Sequence, residues 1–336
     1  MAADLFSSPG PAGGPDPDIA EIANIADLAN LVAPASGPGC QLEAAGESGG
    51  LRAAGARDPA AATDSGGGLR DSGDGSAAAG EDGLLGPARW QAAPVPEAAA
   101  GLAAGGIAPW LAALLARRGV ADAAEAERFL APSLDQLHDP YLLAGMEETV
   151  NRLLAARAGG ERVAIVGDYD VDGVTATALL AAVLAACGIA AEPMLPHRLR
   201  EGYGFQPVHV ERAAQLGCRL ILTADCGSSS GEAVAAALAA GLGVVITDHH
   251  LPGGEMPAGV VQINPRQSRC RYPFPDLAAV GLALKLATAL AGRCGRTLDP
   301  APLLRVACLG TIADLVPLRG ENRVIAALGL AALAGC

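Results

Sequence analysis

Four short strings in the second half of the sequence carry residues suited to metal or phosphate chemistry: Asp168-Tyr169-Asp170-Val171-Asp172-Gly173, Asp225-Cys226-Gly227, Asp248-His249-His250 and Ala313-Asp314. Carboxylates clustered this densely resist ionising together unless a cation offsets their repulsion. The adjacent imidazoles add a ligand type that favours Mn, Fe or Zn over Mg. Together the strings read as a split two-metal site.

Taken singly, each string has a plainer reading. If the strand before Asp168 continues through the string, Asp168, Asp170 and Asp172 point to one side, because side chains alternate along extended backbone. Gly173 then turns the chain, and Val174 opens a helix whose amides could receive a phosphate. The alternatives are a solvated acidic loop or a chance match to a Ca²⁺-loop pattern, though no glutamate stands where such a loop needs one. Asp225 follows Ile221-Leu222-Thr223-Ala224 and could be a bridging ligand or simply a helix N-cap. His249 and His250 follow Val244-Val245-Ile246-Thr247-Asp248, and two adjacent imidazoles each need a partner, which ligation supplies. Asp314 would be a loop carboxylate in any other setting; only the ensemble makes it a ligand.

Elements must hold these strings together. Apolar β-like runs at Arg162–Val166, Ala190–Leu195, Arg219–Thr223, Val244–Thr247 and Val260–Ile263 alternate with helical runs at Val174–Ala186, Val208–Leu216, Gly231–Ala240 and Leu277–Leu290. The alternation predicts an α/β domain over 161–336, a mostly parallel sheet flanked by helices. Ligands in such sheets sit at the carboxyl ends of the strands, where three of the four strings fall. Asp314 instead follows the helical run Leu303–Leu309. The uncharged run Val174–Ala191 approaches membrane-spanning length, but it is alanine-rich and begins directly after an acidic loop, so it reads as a buried helix.

Residues 89–160 form a helical lead-in, with helices around Trp110–Leu115, Ala123–Leu130 and Val150–Ala156. Residues 1–88 are rich in Gly, Pro, Ala, Ser and Asp and predict a disordered acidic tail, interrupted by a short amphipathic pattern at Ile19–Val32. That tail holds 13 Asp plus Glu against 3 Arg, so it carries −10 of the −13 net charge and leaves the rest nearly balanced. An acidic balance argues against a nucleic-acid partner, but here the objection falls mainly on the tail. The single lysine, Lys285, carries no functional signal. Eight cysteines without a Cys-x-x-Cys pair, and no secretory leader, predict a cytoplasmic protein.

Read together, Gly167-Asp168-Tyr169-Asp170-Val171-Asp172-Gly173-Val174-Thr175, Asp225-Cys226-Gly227, Thr247-Asp248-His249-His250-Leu251-Pro252 and Gly310-Thr311-Ile312-Ala313-Asp314 resemble the motifs of the DHH phosphoesterase superfamily. Between them, His197-Arg198-Leu199-Arg200-Glu201-Gly202-Tyr203-Gly204, Ile263-Asn264-Pro265-Arg266 and Tyr272-Pro273-Phe274 resemble its RecJ-type exonuclease branch, as does Ala126-Glu127-Arg128-Phe129-Leu130 with Pro132-Ser133-Leu134. The resemblance spans about residues 89–336. It implies that Asp170 and Asp172 bind separate metals, that Asp225 bridges them, and that His249 and Asp314 complete the second site. Asp168 would be a supporting ligand, His250 would face the scissile phosphate, and Asp248 would orient the histidine pair. It further implies Mn²⁺ or Mg²⁺, two per site, attack on phosphorus by a hydroxide held between them, and 5′-to-3′ release of mononucleotides from single-stranded DNA in recombination and repair. Arg198, Arg200, Arg266, Arg269 and Arg271 are candidates for gripping phosphates, and Tyr203 and Phe205 for stacking a base.

The resemblance also implies a second domain with a glycine–histidine motif and an oligonucleotide-binding barrel, neither with a counterpart here. The expectation is therefore impaired action on long strands unless those parts act in trans. Candidate partners are single-stranded DNA, a single-strand-binding protein and a helicase. Two other functions fit the same motifs. One is a DHH phosphoesterase cleaving short oligonucleotides or cyclic dinucleotides; the other is a catalytically silent scaffold. The inter-motif strings disfavour the first and the retained ligands the second.

Overall fold

The computed structural model describes residues 93–335 apart from Glu255. The expected tail at 1–88 and the pattern at Ile19–Val32 lie outside the described residues. Helices α1 (Ala98–Ala104), α2 (Pro109–Arg117) and α3 (Ala123–Leu130), two 3₁₀ turns (Leu134–Gln136 and Pro140–Leu142) and α4 (Met146–Gly159) precede the sheet. Then follow β1 (Arg162–Gly167), α5 (Val171–Ala186), β2 (Ala191–Met194), α6 (Pro207–Gln215), β3 (Cys218–Ala224), α7 (Gly231–Ala239), β4 (Gly243–Thr247), β5 (Val261–Ile263), α8 (Ala279–Arg293), α9 (Pro300–Ala313) and α10 (Gly320–Ala334).

The five strands form one all-parallel sheet in the order β2-β1-β3-β4-β5. Both faces are covered, and alternation along the strands feeds a separate core on each. Val163 and Ile165 of β1, with Leu220 and Leu222 of β3, pack towards α4, α5, α8 and α9. Ala164, Val166 and Ile221 pack with Ala213 of α6 and Val234 of α7. This two-sided burial is why the strands read as near-continuous apolar runs. Helix α5 is buried on most of its surface, as its uncharged run from Val174 onward demands, and among the described residues no helix is long and apolar enough to cross a membrane. Helices α1 and α10 have no counterpart among the runs read from the sequence.

The order places a topological switch between β1 and β3: the chain leaves β1 for β2 on one side and returns to β3 on the other. A crevice at such a point lies beyond the carboxyl ends of both strands. The strand ladder itself delivers the acidic strings there. Asp168 N–H donates to Ala224 O, Asp225 N–H to Thr247 O, and Asp248 N–H to Ile263 O, at 3.2, 3.0 and 3.1 Å. The last hydrogen bond of β1, β3 and β4 is thus made by the first carboxylate residue of each string.

The lead-in helices have a small core of their own, in which Leu102, Ala112, Leu115 and Ala126 are buried. Arg323 of α10 ties them to the rest, donating to Phe129 O at 3.2 Å, and the segment that follows them is held at His138 by Lys285. Its buried ammonium, on α8, pairs with Glu321 of α10 and donates to His138 O at 2.6 Å. Tyr272 OH donates to the other Glu321 oxygen, also at 2.6 Å. The residue without a signal in the sequence is the cation of a buried network joining three segments.

Candidate metal centre

One expectation fails at the first string. The strand does not continue through it; α5 begins at Val171, and Asp170 is its N-cap, accepting from Gly173 N–H at 2.9 Å. A capping carboxylate satisfies an otherwise unpaired amide of the first turn, and this outcompetes extension. The three aspartates therefore converge from a strand end, a cap and a helical turn, not from alternation. Gly173 lies inside the helix rather than at a turn. A Cβ there would stand 2.6 Å from Asp168 O and 2.7 Å from Asp168 N, so only glycine lets the helix meet the strand end this closely.

Asp172 is buried and receives both leading amides of α8: Ala279 N–H to Oδ2 at 2.7 Å and Val280 N–H to Oδ1 at 2.8 Å. The positive end of that helix offsets part of its charge. Burial nevertheless pushes its carboxyl up to about 6. Asp225 is not an N-cap, since Ser230 occupies the N-cap position of α7; its backbone takes φ 67, a left-handed conformation that aspartate tolerates better than most residues. Burial, with Asp172 and Asp170 close by, pushes the Asp225 carboxyl up to about 10. Burial also raises the Asp168 and Asp314 carboxyls. Asp314 is the C-cap of α9, which runs beyond the expected Leu309.

His249 stands between these groups. Its Nε2 lies 3.2 Å from Asp225 Oδ1, 3.7 Å from Asp314 Oδ2 and 3.9 Å from Asp172 Oδ2. Asp225 Oδ1, Asp314 Oδ2 and both ring nitrogens of His249 are buried without a hydrogen-bond partner. Potential ligand atoms fall into three mutually close sets, each within 4.8 Å: Asp168, Asp170 and Asp225; Asp225, His249 and His250; Asp172, His249 and Asp314. All seven residues put forward as ligands or catalytic groups are therefore brought together, with Asp225 and His249 shared between sets.

Asp248 does not orient both histidines. It accepts from His250 through Nδ1 at 2.8 Å and N–H at 3.1 Å, and from Ser228 N–H at 2.8 Å, but makes no bond to His249. Burial alone would raise the Asp248 carboxyl; these hydrogen bonds outweigh it and hold the group below its ordinary value. In return the hydrogen bond to Asp248 pushes His250 up to about 9. Tyr203 OH lies 3.2 Å from His250 Nε2 and 3.5 Å from its Nδ1.

Sequence reasoning missed the frame beneath. Buried Ser228 Oγ accepts from Gln262 and Asn264, both at 2.9 Å, while Asn264 also donates to His250 O at 2.8 Å. Asn264 was visible only as part of a family-like string, because its partners lie 36 and 14 residues away. Of the phosphate candidates, Arg198 lies over the Tyr169 ring at 5.2 Å and Arg200 is exposed. Arg266 instead pairs with Asp276 at 3.6 Å, and Arg269 donates to Gln267. Arg271 is exposed. Phe205 is 1% exposed and stacked on His209, so it cannot offer its face to a base. A cleft of about 900 Å³ between α3 and the start of α10 contains none of these ligands.

Residues 162–311 match the DHH family, N-terminal domain. This segment belongs to the DHH family. The DHH domain accounts for the whole sheet and the α8–α9 pair behind the centre. Among curated relatives, the chain is 42% identical over 224 residues to the single-stranded-DNA-specific exonuclease RecJ of Bacillus subtilis (strain 168), covering 67% of this chain and 28% of that protein. It is 43% identical over 228 residues to the RecJ of Dickeya dadantii (strain 3937), covering 65% of this chain and 39% of the relative. The chain thus spans well under half the length of these relatives. Among solved structures it resembles RecJ in complex with Mn²⁺ from Thermus thermophilus, with TM-score 0.56 and 31% identity over 71% of this chain and 33% of that one. It also resembles an exonuclease RecJ bound to manganese, with TM-score 0.53 and 36% identity over 59% and 49% of the two chains.

Proposed function

We propose that this chain holds two divalent cations, Mn²⁺ or Mg²⁺, in its DHH domain and hydrolyses phosphodiester bonds of single-stranded DNA from the 5′ end, releasing mononucleotides. The observation that carries the reading is the convergence of buried, unpartnered ligand atoms from Asp225, His249 and Asp314. Buried polar atoms left without a partner cost stability unless a ligand satisfies them. The carboxylates suit Mg²⁺ and Mn²⁺, and the imidazole shifts the preference towards a transition ion such as Mn²⁺.

Asp168 and Asp170 would hold one cation and Asp172, His249 and Asp314 the other, with Asp225 between them. A cation pair of this kind supplies an activated water and neutralises charge building on phosphorus. The protein's own part is positioning. Asp248 fixes the His250 ring by the Nδ1 hydrogen bond and favours its protonated form, in which Nε2 would donate to a phosphate oxygen. Arg198, over the Tyr169 ring beside the first string, and the exposed Arg200 would bind neighbouring phosphates. On this reading residues 161–336 are the catalytic unit and residues 89–160 a helical lead-in. The chain works in the cytoplasm, where a single-strand-binding protein or a helicase meets the same DNA.

Calorimetry tests the centre directly. The expected result is about two Mn²⁺ bound per chain, with Asp225→Ala or His249→Ala losing binding, and Mn²⁺-dependent shortening of a 5′-labelled single strand. Binding that neither substitution affects would remove the basis of the proposal.

A further inference from the structure

Leu315 occupies a position that neither conformation nor burial favours for leucine. Its backbone lies at φ 59, in the left-handed region, and its side chain is 88% exposed. The residue before it is Asp314, whose carboxylate stands 3.7 Å from His249. An exposed apolar residue also adjoins the ligands at two of the other three strings. Val171, between Asp170 and Asp172, is 50% exposed, and Leu251, directly after His250, is 71% exposed. Consecutive Cα atoms are about 3.8 Å apart, so the backbone of each apolar residue lies within one residue of a ligand. Exposed leucines on outer helices, such as Leu330, are ordinary. Around a cluster of carboxylates, polar residues would be the lower-cost choice, and at Leu315 glycine or asparagine would also relieve the backbone.

We propose that Val171, Leu251 and Leu315 form an apolar collar that packs against the faces of unpaired nucleobases while the phosphate enters the metal centre, and that this contact selects single strands. The inference rests on the phosphodiesterase reading above and adds what that centre lacks. Carboxylates, cations and arginines recognise phosphate, which single and double strands share. Base faces are different: in a duplex they are stacked and hidden, whereas in a single strand they are open to apolar side chains. A collar one residue from the ligands would meet the base attached to the phosphate being cut.

The test compares the Mn²⁺-loaded full chain with a Leu251→Ser, Leu315→Asn double variant on oligo(dT) and on an abasic strand of equal length. Asparagine tolerates the left-handed backbone, so the variant keeps its fold, and melting and Mn²⁺ calorimetry should match the parent. The parent is expected to prefer oligo(dT) by about tenfold or more in kcat/KM, and the double variant to lose that preference through a higher KM for oligo(dT). Equal use of both strands by the parent, or a preference retained in the variant, overturns the collar. So does a dimer that the variant disperses while strand preference persists, since the collar would then be seated on a second copy. Hydrolysis of neither strand by Mn²⁺-loaded parent is a different outcome: it overturns the phosphodiesterase reading, and the collar with it.

Discussion

His249 Nε2 and Asp225 Oδ1 stand 3.2 Å apart in the protein interior, and neither atom makes a hydrogen bond. Two polar atoms left this way are poised for a common cation, and until one binds they are a source of pH-dependent instability.

The first prediction concerns the cation-free chain. Asp225 keeps its proton up to about 10 when folded, against an ordinary value of 3.8. Between those limits the folded chain binds more protons than the unfolded one, so stability falls as pH rises. His250, raised to about 9 from 6.5, acts with the same sign: its contribution is complete below 6.5 and is lost as pH climbs through 9. In EDTA, melting temperature should drop between about pH 5 and pH 9, with a slope of up to about 1.4 kcal/mol per pH unit from Asp225 alone. Asp225→Asn should flatten the curve, and Mn²⁺ should raise stability while releasing protons. A melting temperature that increases with pH in EDTA would contradict this account.

Close packing behind the ligands supplies the second. A Cβ on Gly310 would stand 2.3 Å from Thr175 Oγ1 and 2.9 Å from Asp172 Oδ1. Gly310→Ala should therefore cost about 1–3 kcal/mol and weaken Mn²⁺ binding by displacing Asp172. Gly292, in α8, has nothing within 4 Å of the same probe position. Gly292→Ala should stabilise by about 0.5–1 kcal/mol and leave Mn²⁺ binding unchanged. Urea denaturation and calorimetry on the pair would expose the idea as wrong if both substitutions behaved alike.

The third lies away from the centre. Lys285 and Glu321 are buried together, and removing one partner strands the other charge. Lys285→Met should cost about 3–5 kcal/mol, and adding Glu321→Gln should recover part of that loss. Denaturation midpoints for the single and double variants decide the matter; equal losses in both would show that the charge of Glu321 is not what makes the single variant unstable.

Much of this protein could be read from residue order alone. Apolar runs at Val163–Val166, Leu220–Leu222 and Val244–Ile246 announced strands buried on both faces, because such strands need no polar alternation. The helices between them announced a parallel sheet, and the motifs after strand ends announced the ligands, since chemistry in such sheets gathers at those ends. What residue order could not decide was how each ligand is aimed. Asp170 became a helix cap, Asp172 was held by α8 amides 107 and 108 residues away, and Asp248 took His250 but not His249. Lys285 gained its meaning only when Glu321 and His138 were brought beside it. The physical reason is the same throughout. Periodicity reports which face of an element is buried, whereas hydrogen bonds between distant segments depend on ångström-scale placement that only the closed tertiary packing fixes.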